Sequence, residues 1–433
     1  MKKWIILFTL VILTNCKSEK GIIYFTPQKA ASYFNSIEEL CNNDNGKVWG
    51  KNLYGPLMFV DRQSRRIYAN LPDNEGFLKY KDGIYTGLYS KELIIGNTGK
   101  DFGGVIFAIV PIPPEEDAYR IETRAITKLF KCFQNTRDLK SQIIDTRHIN
   151  EKNARLWLKL EWKALANAIS KSGEERKLSL RDALIFRGAR RELYSEFQCD
   201  ENKTEVFEGL ANFTSVLMCT KSDEELKSKL LEQINIVYGF SSYAFSFGTL
   251  NGALYSYFLH DKGFDFLTFS DIDSDLGNIT RNIYEIELPE ICRDVAGSIA
   301  LNYDIDAIYR EEDQRLIDIK ERINNQVSTF IEKPVVYVEL ESPYFGFEPE
   351  DVHPLDTLGT LYTTLRVSDN WGKLTIDLGG GLVANNLRYL RITAKNIKDS
   401  KTQITGDGWV LLLNRDWKLE KVDQNYFIRR TIP

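Results

Sequence analysis

Histidine is scarce in this chain of 433 residues, and the three imidazoles lie far apart, at His148, His260 and His353. A zinc site carried on a helix needs two histidines four positions apart, because that spacing aims both rings at one metal ion. No His-Glu-x-x-His motif can therefore be written in this sequence. A Gly-x-Ser-x-Gly nucleophile elbow is missing as well. The two absences exclude two widespread kinds of hydrolytic site.

Two weaker combinations of residues could still carry chemistry. Cys132 and His148 could be paired as nucleophile and base, but a cysteine on an apolar helix face usually packs in a core. The run 271–275 places carboxylates at positions 1, 3 and 5 as a calcium loop would, yet its glycine comes one position late, at Gly277, and Asn282 replaces the final glutamate. We expect a packed thiol and a polar loop that caps a helix, with no bound metal or other cofactor.

A third candidate is Glu208, which begins the segment Glu-Gly-Leu-Ala-Asn-Phe over residues 208–213. This segment resembles the Asn-Glu-Gly-Phe-Ala stretch of gluzincin peptidases, whose glutamate is the third zinc ligand; Phe207 stands where that family commonly has asparagine. Other blocks of the chain resemble a bacterial family of gluzincin-like zinc metallopeptidases in the same order. They are residues 56–61, 67–70, 96–98, 101–104, 148–149, 155–165, 182–187, 359–362, 371–372 and 405–409.

The resemblance also implies that the zinc site is degenerate. In the family, a His-Glu-x-x-His helix follows an edge strand and ends in a glutamine, which Gln134 matches. Thr127 and Lys131 then stand at the two histidine positions, and Lys128 stands at the position of the catalytic glutamate. Only Glu208 is kept among the zinc ligands. One carboxylate cannot hold zinc against water, and the family's general base is absent, so the resemblance implies a peptidase frame without hydrolysis.

A buried Glu208 without a cation would be costly. Thr127 and Lys131 lie one helical turn apart and so share the face that holds the metal in the family. We therefore predict that the Lys131 ammonium takes the place of zinc and pairs with Glu208. The alternative is that Lys131 extends to solvent and Glu208 forms other hydrogen bonds.

Three further polar residues on the predicted helices are candidate pocket groups: His148, Arg155 and Glu161. We expect them to brace the helices as satisfied buried groups, with remnants of a pocket as the alternative. A rival hypothesis is that the chain is a hydrolase, either a peptidase or a glycosidase. Such an enzyme would use Glu161, Glu208 and His148 in a remodelled site. That hypothesis requires two acids with shifted pKa values in one open groove.

The N-terminus predicts export and a lipid anchor. Lys2 and Lys3 precede an apolar run over residues 4–13, which is too short to span a bilayer and fits a signal peptide. The run ends in Leu-Thr-Asn-Cys over residues 13–16, which resembles a bacterial lipobox with Cys16 as the lipid attachment site. Asn15 departs from the usual small residue, so a plain signal peptide or an uncleaved anchor is the alternative.

Removing Cys16 leaves five cysteines: Cys41, Cys132, Cys199, Cys219 and Cys292. An odd number excludes a complete disulfide framework, and the sequence does not choose a pair. We expect buried free thiols.

The rest of the composition indicates a globular protein with a net charge of −5 and no basic run, which is a poor match for a nucleic-acid binder. Periodicity predicts an α+β fold. A hairpin is expected at 56–60 and 66–70, helices at 125–133 and 153–170, and a capping box at 179–182 ahead of another helix. Short strands with a glycine turn at 379–381 follow.

We therefore expect a signal peptide at 1–15, a tether at 16–20, a β-rich part at 21–116, a helical peptidase-like part at 117–332 and a small β-sandwich or barrel at 333–433. The expected function is a non-catalytic binding or scaffold protein, anchored through its lipid to a membrane of the cell envelope, such as the outer membrane on its periplasmic or surface face. Its ligand would be a peptide or protein, held by strand addition near residues 97–110. The alternatives are the hydrolase above and a structural envelope lipoprotein with contacts through an exposed aromatic patch in 333–433.

Overall fold

The computed structural model describes residues 25–61, 64–90, 99–112, 117–137, 139–140, 142, 144–347, 352–400 and 403–431. The expected signal peptide, Cys16 and the tether lie outside these residues, as does the block 96–98 of the family resemblance. Over the described residues the fold is mixed α+β, as predicted: a β-sheet region, a helical region and a second β region follow one another along the chain.

The first region joins one helix to a six-stranded sheet. Helix α1 (Pro27–Asp44) begins after Thr26, whose hydroxyl accepts a hydrogen bond from the Lys29 backbone N–H at 3.2 Å, and ends at Asn45 in the left-handed conformation. The sheet has the order β3-β4-β2-β1-β6-β5. Its strands are β1 (Leu57–Asp61), β2 (Arg66–Ala69), β3 (Lys79–Lys81), β4 (Ile84–Leu88), β5 (Lys100–Phe102) and β6 (Val105–Ile112).

Alternation along β1 separates two cores. Phe59 faces α1 and the helical region, whereas Met58 and Val60 face a smaller apolar cluster on the other side of the sheet. The antiparallel pairing of β1 with β2 confirms the predicted hairpin. On its other edge β1 pairs in parallel with β6, which leads the chain directly towards the first helix of the helical region.

Ten α-helices of the described residues build the helical region between residues 118 and 327. They are α2 (Ala118–Thr136), α3 (Lys152–Ser170), α4 (Gly173–Leu193), α5 (Gln198–Thr204), α6 (Leu210–Cys219), α7 (Asp223–Tyr238), α8 (Phe247–Asp261), α9 (Leu276–Ile283), α10 (Arg293–Ala300) and α11 (Ile305–Val327). Two π-helical turns continue α5 and α11, at Glu205–Gly209 and Ser328–Glu332. Short 3₁₀ turns lie at Arg147–Asn150, Ser195–Phe197, Phe266–Thr268 and Leu301–Tyr303.

The predicted capping box at 179–182 is wrong, because α4 begins six residues earlier, at Gly173. Ser179 lies inside the helix and its hydroxyl donates to the Glu175 carbonyl at 3.0 Å, one turn back. In the described part of the chain, none of the helices is both long and apolar enough to cross a bilayer.

The second β region consists of two sheets that share one apolar core. The first has the order β18-β19-β7-β14-β13-β10-β9, and the second the order β15-β16-β17-β12-β11-β8. The strands are β7 (Val335–Glu339), β8 (Tyr344–Gly346), β9 (Val352–Pro354), β10 (Thr360–Tyr362), β11 (Leu365–Asp369), β12 (Gly372–Ile376), β13 (Gly381–Val383), β14 (Tyr389–Thr393), β15 (Lys398–Asp399), β16 (Gln403–Gly406), β17 (Trp409–Leu413), β18 (Trp417–Val422) and β19 (Asn425–Arg430).

Two buried tryptophans lie between these sheets, and a glycine turn follows one of the strands. Trp371 and Trp409 are buried between them, and their indole N–H groups donate to the Glu339 and Thr393 carbonyls at 2.8 and 2.9 Å. The predicted glycine turn follows β12, where Gly379 and Gly380 adopt φ values of 78° and 74° that other residues rarely tolerate.

Candidate functional site

The candidate site lies on one face of α2. Asp117 caps this helix, because its carboxylate accepts a hydrogen bond from the Arg120 backbone N–H at 2.9 Å. The apolar side chains of the helix point into the core: Ile121, Ala125, Ile126, Leu129 and Phe130. Thr127 and Lys131 lie one turn apart beside this apolar stripe, as their spacing predicts.

Glu208 lies in the π-helical turn Glu205–Gly209 that joins α5 to α6. π-Helical turns are rare in proteins, and many of those that do occur are found at functional sites. The neighbouring helix α8 packs directly on this turn, because Gly209 and Gly252 have no side chains; a Cβ atom on Gly252 would lie 2.6 Å from the Gly209 Cα. Backbone packing therefore fixes where Glu208 stands relative to α2.

The Lys131 Nζ atom lies 2.6 Å from Glu208 Oε2, which confirms the predicted ion pair. The Lys131 side chain is only 3% exposed, whereas that of Glu208 is 34% exposed. The Phe207 ring lies 4.9 Å from the same ammonium and adds a cation–π contact. The lysine is thus enclosed by its partner and an aromatic face, while the carboxylate still reaches solvent.

Gln134 of α2 also contacts the π-helical turn, which α8 contacts as well. Its fully buried amide nitrogen donates to the backbone carbonyls of Val206 and Phe207, at 3.3 and 3.2 Å. These contacts tie α2 to the turn just before Glu208. The sequence identified Gln134 only as the end of a family motif, and no local pattern indicated partners more than seventy positions away.

Thr127 and Lys128 behave differently from their neighbour. The Thr127 hydroxyl donates to the Thr123 carbonyl at 2.8 Å, within its own helix. Burial and the nearby Lys131 ammonium lower the pKa of Lys128 to about 8, although the Glu208 carboxylate opposes this. With this pKa Lys128 loses its proton more readily than an ordinary lysine, but it is still mostly protonated at pH 7. The i, i+3 spacing of two lysines was the signal that the sequence offered.

The residue types at this site do not fit a zinc ion. A threonine hydroxyl and an ammonium group replace the two imidazoles, and the remaining carboxylate of Glu208 is engaged with Lys131. In the part of the chain that the structure describes, no three His, Cys, Asp or Glu side chains are placed to hold a metal ion together.

The other sequence candidates lie in buried polar networks between helices. His148 Nε2 is 2.9 Å from a Glu201 carboxylate oxygen, and both side chains are almost fully buried. The Arg155 guanidinium donates to both carboxylate oxygens of Glu312 at 3.0 Å. The first contact ties the 3₁₀ turn Arg147–Asn150 to α5, and the second ties α3 to α11.

Glu161 is also sealed inside the helical region. Its carboxylate pairs with Arg190 and accepts hydrogen bonds from the Tyr255 hydroxyl and the Asn251 amide, at 2.8 and 3.0 Å. Burial raises the pKa of Glu161, although Arg190 opposes the shift. Because the side chain is 0% exposed, it cannot meet a substrate. Glu161 and His148 are buried and only Glu208 is partly exposed, so these residues do not form the open two-acid groove that the hydrolase hypothesis requires.

The carboxylate-rich run 271–275 caps a helix, as expected. The Asp275 carboxylate accepts a hydrogen bond from the Asn278 backbone N–H at 3.1 Å, at the start of α9. It also pairs with Arg187 and Arg191 at 3.2 and 2.6 Å. Burial opposes ionisation, but the two guanidinium groups prevail and lower the pKa of Asp275 to about 2.

The five cysteines of the described residues are all free thiols: Cys41, Cys132, Cys199, Cys219 and Cys292. Burial raises the pKa of Cys41 to about 12 and that of Cys292 to about 11. Burial also raises the pKa of Cys132, which packs against Gly99, whereas His148 contacts Glu201. Cys132 and His148 therefore do not form an activated nucleophile and base.

Aromatic residues on the outer face of the second β region form a half-buried stack, not an exposed patch. Tyr337 and Phe427 lie parallel with ring centroids 5.0 Å apart, and Tyr389 is 6.2 Å from Tyr337. Arg391 and Arg429 stack at the two ends. Elsewhere in this region Tyr344 is 53% and Phe347 is 37% exposed, so the structural-lipoprotein alternative stays a hypothesis.

Comparison of the chain with models of known families, with curated proteins and with solved structures finds no match. The likeness to gluzincin-like peptidases therefore stands on the sequence blocks alone.

Proposed function

We propose that this chain is a lipid-anchored protein of the bacterial cell envelope that binds a peptide or protein on a peptidase-like frame without hydrolysing it. One observation carries the non-catalytic part of the proposal: the Lys131 ammonium lies against Glu208, where the family would hold its zinc ion. The anchor rests on Cys16 in the lipobox-like segment.

The chemistry of the pair supports this proposal. A carboxylate that already neutralises a buried ammonium would have to break that pair to bind a divalent ion, and it would leave the ammonium beside the ion. Lys128 could still accept a proton near pH 8. A base alone is insufficient here, because the family mechanism also needs the metal to activate water and polarise the carbonyl.

The N-terminal sheet supports peptide binding at one edge. In the described residues the sheet ends at β5, and no described strand pairs with its outer edge, the kind of edge to which a peptide can add as a strand. Along β6 the residues Ala108, Ile109 and Val110 are at most 1% exposed, so they cannot accept a further strand. Of the segment 97–110 that we expected to bind a peptide, β5 is therefore the part that we propose as the binding edge.

Metal analysis of the purified full-length chain tests the proposal, together with cleavage of casein and of a peptide library. We expect zinc far below one ion per chain and no cleavage that a chelator abolishes. Stoichiometric zinc, or proteolysis that stops when a chelator is added, would show that the proposal is wrong.

A reversion variant tests the peptidase frame itself. Replacing Thr127→His, Lys128→Glu and Lys131→His together restores two imidazoles one turn apart opposite Glu208. We expect this variant to bind stoichiometric zinc, measured by titration with a chromogenic chelator. Adding Glu208→Gln is the matched control and is expected to weaken zinc binding by at least about tenfold. A folded reversion variant that binds no zinc would contradict the placement of α2 on the family's zinc helix.

A further inference from the structure

The N-terminal sheet carries an open cavity of about 940 Å³ at one end. Two large apolar side chains on its wall are unusually exposed, with Leu88 73% and Phe77 58% accessible to solvent. Single exposed apolar residues are common on soluble proteins, but here a leucine and a phenylalanine line one cavity.

Three basic residues line the same cavity. Arg66 lies directly opposite Leu88 across the β2–β4 pair, and Lys79 and Lys81 follow on the adjacent strand and the same face. None of the three cations forms an ion pair with another described residue. The acids on the wall are Asp82 and Asp101, so cations outnumber them. The surface thus combines apolar side chains with unpaired positive charge.

The chain enters the described structure beside this cavity. The Tyr68 hydroxyl donates to the Phe25 carbonyl at 2.8 Å, and Pro27 lines the cavity wall. Cys16 lies nine positions before Phe25. Nine extended residues span at most about 30 Å, so a lipid on Cys16 would keep this end of the sheet close to the bilayer.

We propose that one surface of the protein rests on the phospholipid bilayer that holds the acylated Cys16. This membrane-facing surface comprises Arg66, Phe77, Lys79, Lys81 and Leu88. The apolar side chains would enter the headgroup boundary, and the three cations would contact anionic headgroups. The tether makes this contact intramolecular, so weak individual contacts are sufficient to orient the protein. This inference rests on the anchor of the proposed function and adds the face that the protein turns to the membrane.

Lysine labelling on vesicles tests the inference. The full-length lipidated chain is reconstituted on vesicles of phosphatidylcholine with phosphatidylglycerol and treated with a water-soluble acylating reagent, and each lysine is read by mass spectrometry. Lys373, an exposed residue of β12, serves as the internal reference. We expect Lys79 and Lys81 to react at least about threefold more slowly, relative to Lys373, than on phosphatidylcholine alone.

A matched pair of variants checks the apolar part. Leu88→Glu is expected to remove the protection, whereas Leu301→Glu, at a leucine 70% exposed in the helical region, is expected to leave it unchanged. The mass of the N-terminal peptide reports acylation of Cys16 separately. An acylated chain without lysine protection overturns the inference and leaves the anchor intact. An unmodified Cys16 overturns the anchor and the inference with it.

Discussion

Lys131 and Glu208 share one ion pair but not one environment. The lysine is enclosed and the glutamate is about one-third exposed. Removing the glutamate leaves a buried ammonium without its counter-ion, whereas removing the lysine leaves a carboxylate that water can hydrate. The two halves of the pair therefore contribute unequally to stability, although each makes the same contact.

We predict from this asymmetry that Glu208→Gln lowers the free energy of unfolding by about 2 to 3 kcal/mol, and that Lys131→Met changes it by less than about 1 kcal/mol. Urea denaturation followed by circular dichroism measures both. Arg366→Ala is the control, because its pair with Asp377 is more than half exposed on both sides and should contribute little. Equal losses for Glu208→Gln and Lys131→Met would contradict the proposed difference in burial.

At the scale of elements, the packing of α8 on the π-helical turn depends on the absence of side chains. A Cβ atom at Gly252 would collide with the Glu205 carbonyl. At Gly297, in the middle of α10, a Cβ atom would meet nothing within 4 Å. Replacing each glycine by alanine therefore measures two different effects. At Gly297 it measures the gain in helix stability that alanine gives over glycine, and at Gly252 it measures the cost of crowding as well.

We expect Gly252→Ala to destabilise the protein by about 2 kcal/mol or more and Gly297→Ala to stabilise it by about 0.5 to 1 kcal/mol. Thermal unfolding compares the two variants. Gly252→Ala should also speed hydrogen exchange in residues 205–209, because the turn must move away from α8. If Gly252→Ala were as stable as Gly297→Ala, the close approach of α8 to the turn would be wrong.

Local patterns predicted some elements well and others poorly. The hairpin of β1 and β2 follows from alternation and a polar turn, and α3 follows from apolar spacing. The start of α4 was misplaced, because the motif at Ser179 satisfies the pattern of a cap, yet tertiary packing extends the helix back to Gly173. The π-helical turn at Glu205–Gly209 had no sequence signal, since it depends on glycine contacts with a distant helix.

Over the whole molecule, the order of β and helical regions was predictable, because it follows from the local period of apolar residues. The Lys131–Glu208 pair was also predictable, but only through the family resemblance that placed both residues at one site. The ionic network of the helical region was not. Glu161 and Arg190 are 29 positions apart, and Arg191 and Asp275 are 84 apart. Charges of this kind look like surface residues until the helices are assembled.

We expect this network to give the two halves of the molecule different responses to acid. Arg187 and Arg191, working against burial, lower the pKa of Asp275 to about 2, below its ordinary value of 3.8. A carboxyl whose pKa is lowered by folding adds stability above the ordinary value, and that stability is lost as the pH falls from about 4 through 2. The shared core of the C-terminal sheets is apolar, and the Asp407 carboxyl, whose pKa is lowered by hydrogen bonds from Asn396 and Lys395, lies outside that core.

We therefore predict that lowering the pH from 5 to 2 speeds hydrogen exchange in α4 and α9 before it does so in β7 and β12. Asp275→Asn should cost about 2 kcal/mol at pH 7 and much less at pH 2, because the wild-type carboxyl is then partly protonated too. Asp377→Asn, at the exposed pair with Arg366, should leave the pH profile unchanged. Simultaneous loss of protection in both regions would mean that the molecule unfolds as one cooperative unit, so that acid lability in the helices also unfolds the β-sheets.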